Sequence, residues 1–264
     1  KYNKDGEIEW YKNYGGSEDD EFTSVTCRDY SYYQQKVIIV VGNTSSTDFK
    51  EIEKTTNVKQ GITMVLDETG NLVNYSISGE NVVSVPNQYS IENSMGTAYL
   101  IKNSEKEIEV FNGFCSDATI SHAMAWLPAR KLSKIISSED CNSKGICVLN
   151  SANNIYGIVV NFTGTLTIYD AEGTEKWEEF KSGSGLQSSV YLLADVGGVF
   201  GKGQITSTKN VELNGIVQTE DGNLMVYGSF DGTVTVGSNT ATSKGGYDIM
   251  MAKFDTSGNY IANS

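Results

Sequence analysis

The chain has 264 residues, and 33 acidic against 20 basic side chains give a formal net charge of −13. That acidity offers no basic stripe to neutralise phosphates, so nucleic acid and anionic membrane surfaces are not expected partners. No apolar run approaches the roughly 20 residues that span a bilayer, so membrane insertion is not expected either.

The 27 glycines and 2 prolines mean that tight turns are built from Gly, Asn and Asp. Lys1 follows no Met, and no signal peptide is recognisable, which reads as a mature chain or a piece excised from a larger protein.

In chain order, the first predicted element is a hairpin at Tyr2-Asn3-Lys4-Asp5-Gly6-Glu7-Ile8-Glu9-Trp10. An Asx side chain bonds the backbone two residues on, and Gly supplies the positive φ that closes a short hairpin. Phe22–Thr26 reads as a strand. Cys27–Lys36 reads as an enlarged turn carrying Tyr30, Tyr32 and Tyr33. Aromatic faces with amide neighbours suit sugar rings or peptides, so these three tyrosines are the candidate binding residues, with packing over a neighbouring loop as the competing reading. Val37–Val41 is fully apolar and reads as a strand buried on both faces. Ile62–Leu66 leads into a second Asx hairpin at Asp67-Glu68-Thr69-Gly70.

A degenerate copy of the hairpin stands at Asn103, with Lys106 in place of Gly. Ile120–Ile136 is the best helix candidate, cut to a turn or two by Pro128. Asp170-Ala171-Glu172-Gly173 and Asp255-Thr256-Ser257-Gly258 repeat the hairpin. Lys181–Gly185 reads as a loop between units. Extra strands are expected around Ser189–Leu193, and Gly215–Gln218 and Leu224–Tyr227 precede the last hairpin. Trp10 and Trp177 hold equivalent positions after their hairpins, which predicts packing between units.

The anchors at 3, 67, 103, 170 and 255 average about 63 residues apart, enough for four short strands, the content of one propeller blade. Gly42 precedes Asp67 by 25 residues and Gly228 precedes Asp255 by 27, the agreement a true repeat predicts. The first copy has no strands before it. It either closes a ring with the C-terminal end or remains from a blade outside this chain.

Trp10–Asp20, and Gly228–Val234 followed by Ser243-Lys244-Gly245-Gly246-Tyr247-Asp248-Ile249 and the Asp255/Gly258 hairpin, resemble the blade junctions of bacterial surface β-propeller repeat proteins. The resemblance covers roughly 6–75 and 215–262, weakens at 146–180, and departs from the pattern at 76–145. It implies a secreted or cell-surface setting and a place within a larger protein. It implies no particular activity.

The chemistry-bearing residues are few. His122 is the sole histidine, and no Gly-x-Ser-x-Gly elbow accompanies it, so nucleophilic catalysis is not expected. Gly197, Gly198, Gly201 and Gly203 lack the spacing and the βα context of a nucleotide loop and read as a turn. Glu18, Asp19, Asp20, Glu21, Asp29, Asp195, Glu220 and Asp221 could supply a glycosidase pair, or simply hold the surface in water. The Asx turns match no EF-hand loop, and ordinary solvated turns compete with structural calcium. Among Cys27, Cys115, Cys141 and Cys147, only the last two are close. Their spacing does not suit zinc. It leaves either a disulfide across a loop in an extracellular setting or free thiols in strand and turn.

The expectation is an all-β, propeller-like domain over 1–264 with about five blades, four to six being allowed. It would be a monomeric, non-catalytic binding or scaffold module that recognises glycan or protein and takes no cofactor or metal. The alternative is a carbohydrate-active hydrolase with paired carboxylates at the propeller mouth.

Overall fold

The computed structural model describes residues 1–30, 35–50, 52–80, 91–92, 95–115, 130–150 and 155–261. Among them the chain is all-β, in four antiparallel sheets. The first sheet is a meander of β1 (Asp20–Tyr30), β2 (Gln35–Thr44), β3 (Gln60–Leu66) and β4 (Leu72–Glu80). The second holds β5 (Ile91–Glu92), β6 (Met95–Asn103), β7 (Glu107–Cys115) and β8 (Arg130–Ser137) in sequence. The third is built on β9 (Cys141–Asn150), β10 (Ile155–Phe162), β13 (Ser188–Asp195) and β14 (Gly198–Ser207). The fourth is built on β15 (Asn210–Gln218), β16 (Leu224–Asp231), β19 (Asp248–Phe254) and β20 (Tyr260–Ile261).

Two hairpins cross between sheets. The pair β11 (Thr165–Tyr169) and β12 (Lys176–Lys181) leaves the third sheet after β10 and joins β8 of the second. The pair β17 (Thr233–Val236) and β18 (Asn239–Thr242) leaves the fourth sheet after β16 and joins β14 of the third.

The same hydrogen bonds hold both crossings. Ser137 Oγ donates to Thr163 O, and Ser207 Oγ to Asp231 O. Thr165 N donates to Ser138 Oγ and Thr233 N to Thr208 Oγ1, both at 2.9 Å. Gly164 N donates to Ser182 Oγ at 2.8 Å and Gly232 N to Ser243 Oγ at 3.0 Å. The returning bonds from Ser182 N to Gly164 O and from Ser243 N to Gly232 O match as well.

The core lies between sheets. Ile101, Ile108, Leu132, Ile135 and Leu166 of the second sheet pack on Ile146, Ile158, Val160, Val190 and Leu192 of the third. The opposite face of the third sheet, with Val159, Tyr191 and Leu193, packs on Leu213, Ile216, Val226 and Phe254 of the fourth. A strand covered on both faces has no need to alternate. β10 and β13 are accordingly apolar and buried nearly end to end, whereas β16 and β19 alternate buried and open residues.

Asparagine side chains tie successive sheets. Asn103 in β6 accepts from Ser143 N at 3.0 Å and donates to Ser143 O at 2.9 Å. Asn161 in β10 does the same to Leu213, at 2.7 and 3.0 Å. Each amide imitates a neighbouring strand toward the sheet that follows.

The Asx hairpins at Asn3, Asp67, Asp170 and Asp255 form as expected, each Oδ1 accepting two backbone N–H groups. Several other expectations need correction. Asn103 does not anchor its own turn; its amide is committed to the third sheet. The anchors are not equivalent, because Asp67 and Asp255 join the third and fourth strands of a meander while Asp170 joins the two strands of a crossing hairpin. Cys141–Cys147 is no loop: both thiols are free, buried and on β9. Burial pushes each of their pKa values up to about 12.

Residues 130–136 of the helix candidate are strand, and the rest of it lies outside the described residues, as does His122. Gly201 and Gly203 sit on β14, where a Cβ on Gly203 would strike the Tyr191 ring. The two tryptophans differ. Trp177 packs at the border of the core between the second and third sheets. Trp10 covers the Asp67 turn instead: its Nε1 donates to Glu68 O at 2.8 Å, and its ring leaves no room for a Cβ on Gly70.

Candidate functional site

The crossing hairpin β17–β18 stands away from the fourth sheet, and a cleft of about 740 Å³ opens between it and β19. Val234 and Val236 line the hairpin wall, together with Thr240 and Thr242 of β18. The other wall is β19 itself. This strand pairs with β16 over its whole length but with β20 only at Lys253 and Phe254. Among the described residues nothing pairs with the outer edge of Asp248–Ala252. A free edge offers backbone N–H and C=O groups to another extended chain.

Local chemistry shapes the mouth. In the loop Ser243-Lys244-Gly245-Gly246-Tyr247, Lys244 N donates to Asp248 Oδ2 at 2.8 Å, closing it onto the start of β19. Gly246 takes φ of 77°, which a side chain would resist, and the turn presents Tyr247 to solvent. At the floor, Tyr260 meets Phe254 edge to face at 5.8 Å and lies under Gly237 of the hairpin turn. Phe254 stacks on Tyr191 at 4.2 Å. The Tyr191 hydroxyl, its pKa raised by burial, donates to Gly258 O at 2.7 Å and fixes the last hairpin beneath the cleft.

The tyrosines singled out from the sequence stand elsewhere. Tyr30 is the last residue of β1 and pairs with Gln35, while Tyr32 and Tyr33 lie outside the described residues. Cys27–Tyr30 and Gln35–Lys36 of the expected enlarged turn are therefore paired strand, and the rest of it lies outside the described residues. The cleft had a sequence signal in the Gly245-Gly246-Tyr247 loop. Its meaning depended on a hairpin that joins a different sheet.

Four of the candidate carboxylates, Asp20, Glu21, Asp195 and Asp221, have partners. Burial alone would raise Asp20, but hydrogen bonds from Thr44, Gly16 and Ser46 outweigh it and hold its pKa down. Glu21 is lowered by Lys59, paired at 2.9 Å. Asp221 is held far down by Lys253, Thr219 and Asn223. Asp195 Oδ1 accepts from Gly197 N at 2.7 Å in the turn before β14. Among the described residues no three of His, Cys, Asp and Glu converge on one point, and no helix is long and apolar enough to cross a membrane. No protein-family model and no curated protein matches this chain.

Proposed function

We propose that this chain is a non-catalytic binding and scaffold module, a propeller-like array of stacked sheets acting in a secreted or cell-surface setting, and that its cleft takes an extended polypeptide segment. The carrying observation is the free edge of β19 along a cleft of about 740 Å³, opposite the β17–β18 hairpin and with the exposed Tyr247 at its mouth. Strand addition supplies affinity through main-chain hydrogen bonds and selectivity through alternate side chains. The net charge of −13 favours basic segments.

The array reading rests on the four-strand meanders, on their stacking in chain order from second to fourth, and on the shared hydrogen bonds of the two crossings. The setting rests on the resemblance to bacterial surface β-propeller repeats. Against the hydrolase alternative, a general acid needs a raised carboxyl pKa. The resolved shifts at Asp20, Glu21, Asp221 and Asp231 all run downward. A second reading, a glycan stacked on Tyr247, is favoured by the polar Asn239, Thr240 and Asp248 beside it.

Thermal melting with a panel of basic extended peptides and of glycans tests this. A ligand at a hundredfold excess over Kd stabilises by about 2.7 kcal/mol. The expected result is a rise with peptides that Tyr247→Ala and Ile249→Lys both abolish. A rise with glycans alone would replace the polypeptide reading by the glycan one. No rise with either, or one that survives both substitutions, would overturn the site.

A further inference from the structure

Asn43 holds the place in the first sheet that Asn161 holds in the third. Asn161 stands opposite Asn142 and Ser189, and Asn43 opposite Glu21 and Gly61. Both lie close to the register shift between the first two strands of their sheets. Asn161 commits its amide to the backbone of Leu213. Asn43 is buried too, at 2% exposure, but its Oδ1 has no hydrogen-bond partner. Its Nδ2 donates to Glu21 Oε1 at 3.0 Å.

The same oxygen holds an amine. Lys59 Nζ donates to Glu21 Oε1 at 2.9 Å. Glu21 is on β1, Asn43 on β2, and Lys59 just before β3, so this ion pair reaches across the strand that carries Asn43. The residue opposite Asn43 on β3 is Gly61, which puts no side chain beside the amide. One carboxylate oxygen therefore touches a primary amine and a buried primary amide. These are the reactants of a transamidation. A carboxylate in contact with both nitrogens can take a proton from one and give it to the other.

We propose that Lys59 and Asn43 join their side chains in an amide cross-link, with Glu21 as the proton carrier. The neutral Lys59 amine attacks Asn43 Cγ and forms the new C–N bond. Glu21 Oε1 takes a proton from the attacking nitrogen and delivers it to Nδ2. The Cγ–Nδ2 bond then breaks and ammonia leaves. Nothing is oxidised or reduced, and no further reactant is consumed. Burial of Asn43 keeps bulk water from the amide carbon. The side chains of Lys59 and Glu21 are 47% and 55% exposed, and Lys59 holds the Glu21 carboxyl below its ordinary range, so the resting state is the charged pair. A lysine is nucleophilic only without its proton, so the step is slow near neutrality and faster in alkali. The link would join β2 to the start of β3 and close the segment between them, which carries the buried Phe49, Ile52 and Lys54. Such a closure restricts the unfolded chain as a disulfide does.

Intact mass and peptide mapping of the folded chain, held at about pH 7 and about pH 10, test the proposal. The expected product is lighter by one ammonia, accumulates several-fold faster at the higher pH, and yields a branched peptide joining Asn43 to Lys59. Lys59→Arg keeps the ion pair and should give no product. Glu21→Gln should slow the reaction about a hundredfold. Both substitutions fall on exposed side chains, so the variants should melt like the unlinked parent. The chain unfolded in urea should give no product, because the fold makes the contact. A succinimide at Asn43 also releases ammonia, but it leaves a linear peptide and survives Lys59→Arg; finding it alone would overturn the cross-link. An unchanged mass at both pH values would do the same, as would a branched product that forms equally fast in Glu21→Gln or in urea. Neither Asn43 nor Lys59 lines the cleft, so this result is independent of the peptide reading.

Discussion

Single side chains in this protein mostly build turns. Asp67 shows the principle: its carboxylate accepts from Thr69 N, Thr69 Oγ1 and Asn71 N at 2.7–2.8 Å. Those bonds, the Thr69 hydroxyl's above all, favour the charged form and lower its pKa from 3.8 to about 2. A depressed folded-state pKa stabilises the fold at pH values above the unfolded value, and the contribution disappears as pH falls through the folded value. The window is thus about pH 4 down to pH 2. The group is near the surface, so solvent screening holds the effect to about 1 kcal/mol or less. Asp67→Asn keeps an acceptor but cannot titrate. Urea unfolding should find the variant less stable than the parent at pH 6, with the gap closing by pH 2. A gap that ignores pH would show that the carboxylate's charge contributes nothing. This turn was legible in the sequence because donors and acceptor lie within four residues of one another.

Among elements, the decisive contacts are long-range and were invisible in the sequence. Asn161 follows an apolar run and reads as one more strand end, yet its partners at Leu213 lie 52 residues away. The recurrence of Asx anchors misled for the same reason, since turns of one chemistry serve different joints: a meander at Asp67, a crossing hairpin at Asp170. What periodicity did reveal was burial, because Val37, Ile38, Ile39 and Val40 present apolar side chains to both faces of the first sheet. Replacing Asn161 by Ala would leave the Leu213 N–H and C=O without their Asn161 partner between the third and fourth sheets, while the Ser189 hydroxyl keeps Val211 O. Buried unsatisfied groups of this kind cost about 1–3 kcal/mol each. A loss of about 3 kcal/mol is expected in denaturant melts. The thiol of Cys147, buried in the same core, should then react with a maleimide several-fold faster than in the parent. Loss of stability with unchanged Cys147 labelling would place the damage elsewhere than this joint.

At the scale of the molecule, the third sheet is the hub, since it alone contributes to both large intersheet cores. Neither this role nor the cleft could be read from any one stretch, because each arises where a hairpin from one sheet completes another. Stability in such a stack is uneven, and amide hydrogen exchange measures the gradient. β10 and β13 have strand neighbours on both sides and sheets over both faces, so their amides open only with global unfolding. β18 is paired on one side, and all four of its residues are exposed. The outer edge of Asp248–Ala252 is free as well. Exchange should be slowest at Ile158, Val159 and Val160 of β10 and at Val190–Leu193 of β13, and fastest in Asn239–Thr242. If the cleft takes an extended segment, a saturating peptide should slow alternate amides of β19, whose backbone groups face the open edge, and leave β10 unchanged. Uniform slowing across all sheets would mean that the peptide stabilises the whole fold without adding a strand, and the edge would not be its seat.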